Sequence, residues 1–205
     1  MTELTLLRHG AVDGKPEVFR GRRDVELSRV GWATMRTAAR RLAANPPQLV
    51  FASPLRRCRE PAEHLARELD VPLHVLADLR EMDFGLWEER APSEVSYEWP
   101  DALASLYDGS DLARPPDGEA LGELRSRVAA ALASILGMSR GRRALVVTHA
   151  GVIRALLVEL LGLTFPQALR FEVVPGASCQ LLVGPDQSAS LRSLLPPDVC
   201  AEPDA

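Results

Sequence analysis

Aromatic residues are scarce, with Phe, Trp and Tyr making up 5% of the 205 residues. A core must therefore be built from Leu, Val and Ala, and there is little material for the stacking platforms of single-stranded nucleic-acid binders. Positive charge is not in excess either: the formal net charge is −4, which opposes sequence-independent attraction to nucleic acid or anionic lipid. Recognition of a phosphate has to be local, through a few arginines focused in a cleft. Apolar runs stop well short of the roughly 20 residues that span a bilayer. The opening MTELTLLRHG has no basic region followed by a long apolar stretch, so a cytoplasmic protein with no membrane or nucleic-acid partner is expected. Cysteines are few: Cys58, Cys179 and Cys200 form an odd set with no CxxC pair, which argues against a disulfide framework and against a zinc site.

What is present is an ordinary globular balance, 46% apolar and 25% charged, enough for one substantial core. Thr2 to Leu7 reads as a buried strand stopped by Arg8-His9-Gly10. Ser28 to Ala44 has helical spacing with Ser28 as its cap and Asn45-Pro46-Pro47 as its stop. Leu49 to Ala52 is a second strand, Leu55 to Leu69 a second helix, and Leu73 to Leu76 a third strand. Glu119 to Met138 is a long amphipathic helix and Ala144 to Thr148 the clearest buried strand. Gly151 to Leu161 returns to helix. Arg170 to Val174 and Ser178 to Val183 suggest an antiparallel pair joined at Pro175-Gly176. This alternation predicts a three-layer α/β/α sandwich with a mainly parallel sheet. It is expected as a single domain over 1–195, with a lid insertion at about 91–118, where Pro, Ser, Asp and Trp accumulate, and a frayed tail over 196–205.

Ligands of open α/β sheets gather beyond the carboxyl ends of the strands. The polar residues placed there are Arg8 and His9, then Ser53 with Arg56 and Arg57, then Glu81, then His149. Two imidazoles, guanidiniums and a carboxylate in one crevice suit a dianionic phosphate, whose oxygens match arginine forks and whose transfer needs preorganised positive charge.

The segment Arg8-His9-Gly10 resembles the RHG signature of the histidine phosphatase superfamily, the phosphoglycerate mutase-like group. The likeness continues in order through Arg20-Gly21-Arg22-Arg23-Asp24 with Leu27 and Gly31, Ser53-Pro54-Leu55-Arg56-Arg57-Cys58, Leu79 to Glu88, and Thr148-His149-Ala150-Gly151-Val152-Ile153-Arg154. A lone RHG is weak, whereas the ordered set is specific. The resemblance implies His9 as a nucleophile forming a phosphohistidine, with a backbone carbonyl fixing its tautomer. It implies Arg8, Arg57 and His149 as a phosphate clamp and Glu81 as proton donor and then base. No metal and no cofactor are implied. The family pattern puts its arginine two positions after Leu55, which favours Arg57 over Arg56, and Asp83 is the competitor of Glu81. Arg20, Gly21, Arg23 and Trp87 are candidates for contact with the rest of the substrate. Four positions depart from the commoner pattern: Ala11-Val12 stands where Glu or Pro and then Thr is usual, so a hydroxyl is missing, Thr34 stands where glutamine is usual, and Glu89 where glycine is usual.

Within the superfamily, Gly31 to Met35, Ser53 to Cys58 and Phe84 to Glu88 look most like the α-ribazole phosphatases of cobalamin synthesis. The expected function is hydrolysis of a small-molecule phosphate ester, with α-ribazole 5′-phosphate as one substrate. A sugar or nucleotide phosphatase, a phosphoglycerate mutase and a non-catalytic phosphate-binding module are the alternatives. The short insertion favours hydrolysis, since a mutase has to exclude water while its phosphoenzyme waits. A homodimer is compatible with this reading.

Overall fold

The computed structural model describes residues 1–197. Six strands form one sheet in the order β3-β2-β4-β1-β5-β6. They are β1 (Thr2–Arg8), β2 (Leu49–Ala52), β3 (Leu73–Val75), β4 (Arg143–Thr148), β5 (Ser178–Val183) and β6 (Ala189–Leu195). Strands β3, β2, β4 and β1 run parallel, while β5 is antiparallel to β1 and to β6.

The pleat explains the three layers. In β2 and β4, Leu49, Phe51, Ala144 and Val146 face one core with helices α5 (Leu121–Met138) and α6 (Ala150–Leu161). The alternate residues Val50, Ala52, Leu145 and Val147 face the other core, beneath α1 (Arg29–Leu42) and α2 (Arg56–Leu69). A strand buried on both faces has to be apolar at every position, which is why β2 and β4 read as continuous runs. Ser28 caps α1, its hydroxyl accepting from the Gly31 amide at 3.0 Å. Asp70 ends α2 in the left-handed conformation.

The segment expected as an insertion carries α3 (Pro92–Glu98) and α4 (Pro100–Tyr107), each opened by a proline at its first turn. A short helix α7 (Phe165–Ala168) follows α6.

One element differs from expectation. Residues 170–174 form no strand; the partner of β5 is β6, joined through Gly184 to Ser188. The reason is that the backbone around 173–176 serves the end of β1. The Val173 carbonyl accepts from the Arg8 guanidinium at 2.6 Å, and the Gly176 amide donates to the His9 carbonyl at 3.0 Å. Groups spent in this way cannot join a ladder. The expected frayed tail lies outside the described residues from position 198 onward.

Candidate active site

The backbone of Arg8 and His9 is held from both sides: Arg8 N donates to the Ala177 carbonyl and His9 N to the Thr148 carbonyl, each at 3.0 Å. Gly10 allows the chain to leave the strand against α1, since a Cβ there would stand 2.4 Å from the Gly31 carbonyl oxygen. Across the pair β1 and β4, His149 occupies the N-cap position of α6. The two imidazole rings meet edge to face with centroids 5.2 Å apart.

His9 Nδ1 lies 2.7 Å from the Gly10 carbonyl oxygen. A carbonyl can only accept, so Nδ1 carries the proton and Nε2 keeps a free lone pair. Burial, and then the charges of Arg57 and Arg8, hold the His9 imidazole well below the usual histidine range, so the ring is neutral. His149 is depressed in the same way, by burial first and then by Arg57.

Arg57 enters from the first turn of α2 and is fully buried. Its Nη2 donates to the Gly21 carbonyl and its Nη1 to the Arg23 carbonyl, both at 2.7 Å, while Nε faces His149 Nδ1 at 3.3 Å. Arg56 points outward to Glu60 and Glu26, so the structure brings Arg57, not Arg56, to the two histidines. Burial lowers the Arg8 pKa to about 10, and the group remains a cation at neutral pH.

Glu81 is also buried. One carboxylate oxygen accepts from the Met82 amide and the other from the Gly151 amide, each at 3.0 Å. Gly151 is required by this approach, because a Cβ at that position would lie 2.5 Å from Glu81 Oε1. Asp83 instead accepts from the Gly85 amide at 3.0 Å and does not line the cleft.

Arg8, His9, Arg57 and Glu81 form the floor of a cleft of about 740 Å³, while His149 is fully buried next to Arg57 and does not line it. Its walls are largely apolar: Val12, Val18 and Phe19 after β1, Phe84, Leu106 and Tyr107 at the end of α4, Leu124 of α5, and Phe165 and Leu169 by α7. The cations Lys15, Arg20 and Arg154 also reach it. Among the described residues, no three His, Cys, Asp or Glu side chains gather as a metal site would need, and no helix is long and apolar enough to cross a membrane.

Three candidates for substrate contact are placed elsewhere. Trp87 is fully buried in the core shared with α5 and α6, within 5.4 Å of the Phe19 ring centroid. As the most voluminous fully buried side chain among the described residues it fills space instead of lining the cleft. Gly21 and Arg23 act through their carbonyls on Arg57, the Arg23 side chain being exposed and outside the cleft. Only glycine fits at 21, where a Cβ would meet the Met82 carbonyl oxygen at 2.0 Å. Arg20 does line the cleft, held by Glu89 through Nε at 2.8 Å and Nη2 at 3.2 Å. Glu89 adopts a φ of +63°, which costs a non-glycine residue about 1 kcal/mol.

Several supporting residues escaped the sequence reading. Arg127 donates to the carbonyls of Asp78, Arg80 and Glu81 at 2.6, 2.7 and 3.1 Å and pairs with Glu119, so it fixes the backbone that carries Glu81. Arg22 donates to the same Glu81 carbonyl at 2.9 Å. Glu88 accepts from the Gly21 and Arg22 amides at 3.0 and 2.6 Å. Acidic and basic types alone do not distinguish such anchors from surface pairs.

The sequence profile of the histidine phosphatase superfamily (branch 1) matches residues 4–194. The chain belongs to the histidine phosphatase superfamily. It is 32% identical over 164 residues to the "Probable phosphoglycerate mutase GpmB" of Citrobacter koseri, covering 80% of this chain and 76% of that one. It is 29% identical over 174 residues to the adenosylcobalamin/α-ribazole phosphatase of Salmonella typhimurium, covering 84% and 86%. The crystal structure of the α-ribazole phosphatase from Shigella flexneri superposes with a TM-score of 0.81 at 25% identity over 94% and 95% of the two chains. As a histidine phosphatase, the protein has the mainly parallel, helix-flanked sheet of the phosphoglycerate mutase-like fold.

Proposed function

We propose that this histidine phosphatase hydrolyses a small phosphate monoester with an aromatic or otherwise apolar body, of which α-ribazole 5′-phosphate is the example we favour. The observation that carries the reading is the hydrogen bond from His9 Nδ1 to the Gly10 carbonyl, which leaves Nε2 of a neutral ring as a nucleophile.

In the first step, Nε2 of His9 attacks phosphorus, the P–N bond forms and the ester P–O bond breaks. Arg8 and Arg57 face the phosphoryl oxygens, where charge develops in the transition state, and His149 positions Arg57 through its Nδ1. A protonated Glu81 gives its proton to the leaving oxygen. In the second step water attacks phosphorus, Glu81 takes up its proton, the P–N bond breaks and inorganic phosphate leaves. The segment 91–118 acts as a lid, contributing Leu106 and Tyr107 to the wall. The apolar walls favour an aromatic base over a glycerate, and the net charge of −4 opposes a nucleic-acid or anionic-lipid substrate.

The test is phosphate release from p-nitrophenyl phosphate in EDTA, followed by a screen of α-ribazole phosphate, sugar phosphates, nucleotides and phosphoglycerates. Wild type is expected to turn over and His9→Ala to be inactive; equal rates for the two overturn the proposal. In a coupled mutase assay, transfer between phosphoglycerate hydroxyls without free phosphate favours the mutase reading instead.

A further inference from the structure

Arg20 is a cation in the wall of the cleft, held between Glu89 on one side and the Lys15 carbonyl at 2.9 Å on the other. The carboxylate that meets it comes from a position where the backbone is left-handed. Such a position admits glycine without strain, so a glutamate there carries a backbone cost that glycine would not. The backbone leaves Glu89 little freedom: its amide donates to the Phe19 carbonyl at 2.8 Å and the Phe19 amide to the Arg90 carbonyl at 2.9 Å. The ion pair is sheltered, with side-chain exposures of 13% and 23%, so solvent screens it less than a surface pair.

We infer that Glu89 is a specificity-determining residue: by neutralising Arg20 it makes the cleft select phosphate monoesters whose body carries no second anionic group. This deepens the phosphomonoesterase reading and rests on it. Without Glu89, the Arg20 guanidinium presents a bidentate fork to whatever occupies the cleft. With Glu89, an acidic substrate has to compete with a carboxylate that is already in place, and it meets that carboxylate's own charge.

Of the other cations at the cleft, Arg154 is partly buried with Nη2 on the Phe171 carbonyl at 3.5 Å. Lys15 is exposed at the rim, where Glu17, also at a left-handed φ, stands in solvent beside the cleft. An exposed lysine holds an anion weakly. In the proposed reaction the floor cations Arg8 and Arg57 are taken up by the phosphoryl group itself. The substrate class is then a monoester with one acidic group and an uncharged, partly apolar body, which a nucleoside-like aromatic riboside satisfies and a phosphoglycerate does not.

The experiment compares matched substrates that differ in one charge: 4-carboxyphenyl against 4-carbamoylphenyl phosphate, and 3-phosphoglycerate against glycerol 3-phosphate. Wild type is expected to prefer the uncharged member by about tenfold or more in kcat/KM. Glu89→Gly and Glu89→Gln, each confirmed as folded by its thermal melt, are expected to raise kcat/KM for the acidic member of at least one pair by about tenfold. Adding Arg20→Gln to Glu89→Gly should cancel that gain. A wild type without preference, or a ratio in both pairs that stays within twofold of wild type in both variants, overturns the inference while leaving the phosphatase reading intact. Absence of phosphate release from every substrate in wild type overturns the phosphatase reading, and this inference with it.

Discussion

The Ser53 hydroxyl lies 2.8 Å from His149 Nε2, with both side chains fully buried. Arg57 Nε approaches the other ring nitrogen at 3.3 Å and can only donate, so the proton of the neutral ring sits on Nε2, directed at Ser53. Removing the hydroxyl leaves the buried N–H only the weak acceptor Cys58 Sγ at 3.5 Å, at about 1–3 kcal/mol. Ser53→Ala is therefore expected to lower stability by that amount and kcat/KM by roughly tenfold. Denaturant unfolding and steady-state kinetics check it, and unchanged values for both show the hydroxyl to be idle.

Both histidines of the site have pKa values well below 6.5 in the folded protein because of burial and the neighbouring arginines. Below pH 6.5 the unfolded chain binds protons that the native state refuses, so the stability contributed by the neutral rings is complete above that pH and falls as the pH drops below it. The slope is at most about 1.4 kcal/mol per pH unit for each ring. Melting temperature measured from pH 7.5 to 5 is expected to decline below 6.5, and less steeply in His149→Asn. An identical slope in the variant counts against the buried neutral ring.

Gly21 is fixed by two demands at once, its carbonyl on Arg57 and its Cα against the Met82 carbonyl. Gly21→Ala forces backbone apart, costing about 1–3 kcal/mol. It is expected to lower kcat as well, because Arg57 loses an anchor. Calorimetry together with kinetics tests this, and full activity with a wild-type melting temperature refutes the anchoring role.

The Trp87 indole N–H is buried and has no hydrogen-bond partner. Trp87→Phe removes that unpaired donor along with some volume, so stability is expected to change by less than about 1.5 kcal/mol. Trp87→Ala opens a cavity, at about 3–5 kcal/mol. KM in Trp87→Phe should stay within twofold for every substrate. A large rise in KM would return Trp87 to the substrate side.

The parts of the fold that could be read from sequence are those with a local signature. Buried strands β2 and β4 announce themselves as apolar runs, α1 by the Ser28 cap and by spacing, and the strand ends by Arg8-His9-Gly10 and Thr148-His149. Strand β6 was missed because Ala189–Leu195 has buried neither face and so shows no alternation. Residues 170–174 misled in the opposite sense: Phe171, Val173 and Val174 look strand-forming, but the Val173 carbonyl is claimed by Arg8. Among site residues, those with an intrinsic chemical signature, His9, His149 and Glu81, were legible. Arg127 acts on carbonyls distant in the chain, and nothing in its own neighbourhood marks it, whereas Ser53 and Glu88 lie in stretches the sequence marks but their partners, the His149 ring and the Gly21 amide, are not visible there.

The loop that leaves β1 returns to the floor at residues 21–23, where two carbonyls grip Arg57. Positions 11–20 form a span secured at both ends, to His9 and to Arg57. Exchanges within such a span reshape the cleft wall while His9 and Arg57 keep their anchors, so the wall can vary without rebuilding the floor.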